Sequence, residues 1–300
     1  MKKLLLILLC LPMIGFGQNV NIPDANFKAY LIGNSLINTN GDTEIQLSEA
    51  NAFNGTINCN SLNISNLTGI EAFTDITELD CGSNQTTNHN QITNLDLSQN
   101  LALTSLNCYY TQLISLNVSQ NTALEYLICK DNQLTSLDLS NNLALTELDC
   151  GYNQLTNLDL SNNLALTELI CTSNQLTNLD LSQNTALKKL NCGGNQLESL
   201  DLRNGNNTMI INLKFGCLNN PNLYCINVDD STYSANTWTF IDPQHYFSTN
   251  CSQLSTIKEH IGKKELLKIT DLFGREIKQT NQPLFYIYND GTVEKRIVIE

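Results

Sequence analysis

The chain has 300 residues, of which 41% are hydrophobic, 15% charged and 7% aromatic. That length supports a sizeable core in one or two domains, and the low charge density argues against a disordered polyelectrolyte. Sixteen basic residues against 29 acidic ones give a net charge of -13, which argues against a nucleic-acid partner because phosphate recognition needs a basic patch.

Residues 1–17 read as a secretory signal peptide. Lys2 and Lys3 precede an apolar stretch from Leu4 to Ile14, and Gly15-Phe16-Gly17 supplies a small-residue exit, with cleavage expected between Gly17 and Gln18. Leu9 stands where a lipobox before Cys10 would place a small residue. No stretch is long enough for a transmembrane span. The mature protein is therefore expected to be soluble, and either secreted or held at the outer cell surface.

Residues 18–54 fit an N-terminal cap. Phe27, Tyr30 and Leu31 follow Pro23-Asp24 at helical spacing. The stretch from Asn38 to Glu49 resembles one EF-hand loop, with oxygen donors at positions 1, 3, 5 and 12 and an apolar residue at position 8. Thr43 replaces the turn glycine of that pattern, and Asn38 replaces its first aspartate. Asn38, Asn40, Asp42, Glu44 and Glu49 are the candidate calcium ligands, calcium being the one candidate cofactor. The alternative is a polar capping turn without metal.

A repeat occupies residues 55–215. Cys108, Cys129, Cys150, Cys171 and Cys192 recur every 21 residues, in a unit that reads LTELDCGYNQLTNLDLSNNLA from Leu145. Cys59 and Cys81 extend the series, with six extra residues before Cys108, and Phe215 is expected in the cysteine's place in a last coil. A fixed period in the twenties means a solenoid with one coil per period. In each coil L-x-x-L-x-C alternates as a short strand with its apolar side inward. Asparagine columns at Asn132, Asn153, Asn174 and Asn195, and at Asn100, Asn121, Asn142, Asn163 and Asn184, should bond the backbone of adjacent coils. The expected fold is an α/β-type solenoid, mostly β, of about eight coils forming a curved rod roughly 35–40 Å long. One thiol per coil, without C-x-x-C pairs, points to buried packing cysteines rather than metal or redox sites.

The unit resembles a leucine-rich repeat, close in length to the internalin type and to secreted repeats of Bacteroidetes-like bacteria. That resemblance implies a repeat scaffold and says little about a ligand.

Residues 216–251 form the expected C-terminal cap, with Trp238 and the segment from Phe240 to Phe247 closing the core. In an exported protein Cys225 and Cys251 are expected to form a disulfide, with Cys217 as the rival partner of Cys225. The composition shifts near residue 252, from six basic against 22 acidic residues in 18–251 to eight against seven in 252–300. The stretch from Ile269 to Glu300, with Asp271, Gly274, Arg275, Lys295 and Arg296, resembles the C-terminal sorting domain of the type IX secretion system. The resemblance implies the type IX machinery as a partner and passage across the outer membrane. An additional β cap is the alternative.

No catalytic motif surrounds His89, His245 or His260, and the repeats carry few basic residues, so the chain reads as non-enzymatic. His89, in the inserted loop, is expected to be solvated. The column Asp96, Asn117, Asp138, Asp159, Asp180 and Asp201 reads as a solvated convex face. On the strand face, Tyr109, Tyr110, Tyr126 and Tyr152, with Lys130, break the uniformity of the repeat, and the tyrosine rings are expected within roughly 5–10 Å of one another. These are the candidate ligand-binding residues, for a protein or glycan partner at the cell surface. The function expected is non-catalytic binding or adhesion through the concave face. The alternative is a calcium-stabilised structural envelope protein.

Overall fold

In a computed structural model the described residues are 17–84, 88–251 and three strands at 266–270, 284–288 and 293–296. The expected signal peptide, apart from Gly17, lies outside them, as do Asp271, Gly274 and Arg275. The chain divides after Thr249 into two compact units. No helix among the described residues is long and apolar enough to cross a membrane.

The first unit begins with helices α1 (Ala25–Ile32) and α2 (Leu47–Ala52). Asp24 starts α1 by accepting the N–H groups of Asn26 and Phe27, both at 3.0 Å, which otherwise lack partners at a helix N-terminus. Phe27 and Leu31 are fully buried and seal the first coil. The chain then winds as a parallel solenoid of about nine turns. Strands β1 (Thr56–Asn58), β2 (Glu78–Asp80), β3 (Ser105–Asn107), β4 (Tyr126–Ile128), β5 (Glu147–Asp149) and β6 (Glu168–Ile170) lie side by side in chain order. Strand β7 (Asn178–Asp180) lies in a second sheet, while β8 (Lys189–Asn191) continues the first. A four-residue strand β9 (Ser199–Leu202) joins β7, and β10 (Phe215–Gly216) completes the eight-stranded sheet. The second sheet is extended by β11 (Cys225–Val228) and β12 (Tyr246–Ser248), which flank helix α3 (Ser231–Thr237).

The 21-residue period becomes a register. Leu106, Leu127, Leu148, Leu169 and Leu190 oppose one another strand by strand, so every copy points its leucine into the same core column. In the coil that begins at Leu145, six side chains (Leu145, Leu148, Cys150, Leu155, Leu158 and Leu160) are buried. Each such leucine contributes about 1.5–3 kcal/mol by leaving water. The second half of the coil is too rich in short polar residues for a helix. Asp159 Oδ1 instead accepts the Ser161 N–H at 3.0 Å, and the same turn recurs at Asp96, Asn117, Asp138 and Asp180. This acidic column is thus tied to the backbone and not merely solvated, and those bonds hold the carboxyls of Asp96, Asp138 and Asp159 below their ordinary range.

Both asparagine columns bond backbone, with different completeness. Asn153 Nδ2 donates to the carbonyls of Cys129, Cys150 and Gly151, and its Oδ1 accepts the Leu134 N–H at 2.9 Å. In the second column Asn142 Nδ2 donates to Val118 and Asn121, but its buried Oδ1 has no hydrogen-bond partner among the described residues.

The end of the repeat corrects one sequence expectation. Phe215 opposes Leu190 and Gly216 opposes Asn191, so Phe215 fills the leucine's place and Cys217 the cysteine's. The twelve residues from Arg203 to Lys214 carry two short 3₁₀ turns, and this longer return shifts the register away from a count of 21. Cys217 is a buried free thiol, which removes it as partner for Cys225. Cys225 and Cys251 are disulfide-bonded. Trp238 closes the end of the core, stacked on Phe215 with ring centroids 4.1 Å apart, and its indole N–H donates to Ile210 O at 2.7 Å.

The second unit contains an antiparallel sheet, β13 (Leu266–Thr270), β14 (Leu284–Tyr288) and β15 (Val293–Arg296), in that order. Lys295 opposes Phe285 and Arg296 opposes Leu284.

Candidate binding face

The outward positions of the long sheet form columns as regular as the core. One column, made by the first residue of each strand, runs Ser105, Tyr126, Glu147, Glu168 and Lys189. Tyr126 is exposed on it, and Ile128 is exposed on a second column, Asn107, Ile128, Asp149, Ile170 and Asn191, made by the last residue of each strand. Glu168 and Lys189 pair across neighbouring coils at 2.9 Å. In that second column stands Asp149, whose carboxyl burial pushes up, against the lowering influence of the Gly151 N–H at 3.1 Å and of Lys130.

Beyond each cysteine the chain turns, and there the tyrosines behave unlike a single patch. Tyr110, Asp131, Tyr152, Ser173, Gly194 and Asn219 occupy equivalent positions two residues after the cysteine, and all have positive φ, between 53° and 68°. Only glycine and asparagine adopt this left-handed conformation at little cost. Tyr110 and Tyr152 adopt it with exposed rings. The ring of His89, from the inserted loop, lies 5.3 Å from that of Tyr110, so this histidine packs half-buried on the tyrosine instead of standing in solvent. Tyr109 is half-buried, its ring lying over Gly82 of the preceding coil, with Lys130 of the next coil 5.6 Å from its centroid. Tyr126 is separated from Lys130 of its own coil by four residues of extended chain, roughly 13 Å. The expected cluster of four therefore resolves into Tyr126 at the start of β4 and a turn edge that carries Tyr109, Tyr110 and Lys130, with Tyr152 on the turn of the following coil.

Sequence reasoning missed a second feature, a pocket of about 400 Å³ at the C-terminal end of this face. Its walls include Tyr152, Lys189, Lys214, Leu218 and Phe240, over a floor containing Gly193, Gly194 and Gly216. These residues come from coils as far apart as 152 and 240, so no local motif marks them. The available signal was the replacement of side-chain-bearing residues after the cysteine by the pair Gly193-Gly194.

The loop from Asn38 to Glu49 is closed by its own hydrogen bonds. Glu49 Oε1 accepts from Thr39 N, Thr39 Oγ1 and Asn40 N, and its Oε2 from Gln46 N. Asn38 Nδ2 donates to Ile32 O and Asp42 O, and its Oδ1 accepts from Gly41 N. Asp42 accepts from Glu44 N and from the side-chain amides of Asn40 and Gln46. Glu44 pairs with Lys28 at 2.6 Å. The oxygens proposed for calcium are thus committed to partners within the cap, and among the described residues no three histidine, cysteine or acidic side chains converge on a metal position.

The cysteine column is chemically quiet. Eight free thiols, from Cys59 to Cys217, are buried. Burial pushes Cys108 and Cys150 up to about 12, so the thiolate that reactivity requires is suppressed.

The chain matches no protein-family model and no curated protein. Among solved structures it is similar to the functional domain of InlJ from Listeria monocytogenes, which includes a cysteine ladder, at 26% identity over 77% of this chain and 70% of that one, with a TM-score of 0.39. It is similar to internalin C2 from Listeria monocytogenes at 17% identity, covering 70% of this chain and 99% of that one, with a TM-score of 0.44. The leucine-rich repeat domain of APL1B is 22% identical over 50% of this chain and 52% of its own, with a TM-score of 0.37.

Proposed function

We propose that this chain is a non-catalytic binding or adhesion protein, secreted or displayed at the outer cell surface, that engages a protein or glycan through the outward face of its long sheet. The observation that carries the reading is the placement of Tyr110 and Tyr152 at left-handed φ with exposed rings. The turn takes that conformation in all six coils from Cys108 to Cys217, and glycine or asparagine meets it cheaply at Gly194 and Asn219. Retaining tyrosine there costs roughly 1–2 kcal/mol of backbone preference per residue, and such strain concentrates where side-chain identity serves a ligand. Tyr126 and Lys130 extend the contact surface.

A triple Tyr110→Ser, Tyr126→Ser, Tyr152→Ser variant tests it. Attachment to the cell surface should be lost while the melting curve stays as it was. Unchanged attachment would place the partner elsewhere. In the same reading the C-terminal unit is a sorting domain for the type IX machinery, supported by its resemblance at Lys295 and Arg296 and by the compact division of the chain. Deleting residues 258–300 should then leave a folded rod in the periplasm, and normal export of the truncated chain would remove that assignment.

A further inference from the structure

The pocket at the C-terminal end of the sheet brings an exposed lysine, two exposed aromatic rings and neutral hydrogen-bonding groups into one cavity. We infer that it binds an acidic oligosaccharide, a short chain of sugar rings bearing carboxylates, with a carboxylate on Lys214 and ring faces against Tyr152 and Phe240. The inference rests on the sheet face being a binding surface and gives one end of that face its ligand class.

Charge comes first. Between residues 18 and 251 there are only six basic side chains against 22 acidic ones, yet two of the six line this one pocket. Phe215 opposes Leu190, so Lys214 directly precedes the pairing that Lys189 precedes, and the two backbones lie one strand spacing apart, about 4.8 Å. Glu168 answers Lys189 at 2.9 Å. Lys214 is exposed and makes no ion pair among the described residues. The neighbouring carboxylate of Asp242 is taken by the N–H groups of Asn219 and Asn220 and by His245. One positive charge in a strongly acidic protein is therefore left for an anion.

The rest of the lining decides which anion. A phosphate favours a bidentate arginine or converging backbone N–H groups. The sole arginine between residues 18 and 251, Arg203, is held by Asp201, and the floor N–H groups are spent, Gly194 on Leu218 O at 2.8 Å and Gly193 on Asn191 Oδ1 at 3.4 Å. An extended peptide needs an open strand edge, but Cys192 N donates to Gly216 O and Cys217 N to Phe240 O, which carries the ladder on past this coil. What remains are neutral groups that both give and take hydrogen bonds, such as Asn191 and Thr172, beside two exposed aromatic rings. Sugar hydroxyls match the first, and the C–H faces of sugar rings match the second. Glycine is needed in this floor because the coils approach closely, a Cβ at Gly193 standing 2.9 Å from Leu218 O and one at Gly216 3.0 Å from Asn191 Oδ1.

The test is calorimetric titration of the full chain with a short oligogalacturonate, its uncharged methyl ester, inorganic phosphate and polyglutamate. Oligogalacturonate should bind, and Lys214→Gln should weaken it roughly tenfold, as loss of one charge-assisted bond implies, without moving the melting curve. The methyl ester should lose as much on the native chain and lose nothing further on the variant. No binding at millimolar ligand, equal binding by Lys214→Gln, or equal competition by phosphate or polyglutamate would overturn the assignment. Tyr110→Asn and Tyr126→Ser lie outside the pocket and report on the face itself. Lost attachment in those variants with no oligogalacturonate binding removes the ligand class and keeps the face, whereas normal attachment removes the face.

Discussion

Lys130 Nζ stands 5.6 Å from the centre of the Tyr109 ring, which in turn lies over Gly82, so three consecutive coils meet in one stack. A Cβ at Gly82 would come within 2.6 Å of Tyr109 Cδ1. Gly82→Ala should therefore swing the ring off the coil and expose it, with a cost of about 1–3 kcal/mol as for other overpacked contacts. Lys130→Met keeps the aliphatic cover and removes the charge, and should cost only about 0.5–1 kcal/mol, the worth of an exposed cation–π contact. Chemical denaturation of the two variants checks the order. Equal losses would mean that the charge, not the ring's seat, holds the stack.

The left-handed column yields a prediction of opposite sign. Tyr152→Asn suits the backbone at φ 53° better than tyrosine does and should leave stability unchanged or raise it by about 1 kcal/mol. The same change should weaken attachment. A destabilised Tyr152→Asn variant would show that the exposed ring serves the fold.

The two asparagine columns should not be equivalent. Asn153→Ala strands the buried Leu134 N–H, while the Cys129, Cys150 and Gly151 carbonyls keep Asn132 Nδ2, Asn174 Nδ2 and Asp131 N as donors, and should cost about 2–3 kcal/mol. Asn142→Ala loses two donated bonds and removes a buried oxygen that has no partner among the described residues, so about 1–2 kcal/mol is expected. Denaturant midpoints at fixed slope compare them directly.

Acid should loosen the N-terminal cap. Burial works to raise the Glu49 carboxyl, but the N–H groups of Gln46 and Asn40 and the Thr39 donors outweigh it and hold the group below the ordinary glutamate range. A depressed folded pKa means that the stabilisation is complete above the unfolded value and disappears as pH falls through the folded one. Glu49→Gln should lower the melting temperature at neutral pH and converge with the native chain in strong acid. The loss should be equal in chelator and in millimolar calcium. A loss seen only with calcium would make Glu49 a metal ligand.

Native alkylation at pH 8 should leave the eight column thiols unmodified, because all eight are buried away from the reagent. Mass spectrometry should find them all labelled once denaturant is added. Labelling of any of them in the folded chain would reveal local opening of that coil.

The coil was legible because its chemistry is repeated. A cysteine every 21 residues with leucines at fixed offsets leaves one arrangement that buries them all, and Leu148 and Cys150 sit where alternation puts them. Prediction failed where contacts depend on a neighbour's identity or on chain length between coils. Phe215 was misplaced because the return from Arg203 to Lys214 has its own turns. The seat of Tyr109 depends on glycine at position 82, one coil and an insertion away, and the lysine pocket depends on four coils at once. Neither leaves a mark in any single repeat.

In-register stacking makes length a discrete variable. Because Leu127, Leu148 and Leu169 oppose one another strand by strand, a further copy of residues 145–165 inserted ahead of Leu145 would meet matching contacts on both sides. The stack of Tyr109 and Lys130 and the lysine pocket would move apart by one strand spacing, about 4.8 Å. The solenoid thus works as a ruler marked in whole coils, on which gain of a unit lengthens the span between two side-chain clusters without redesigning either.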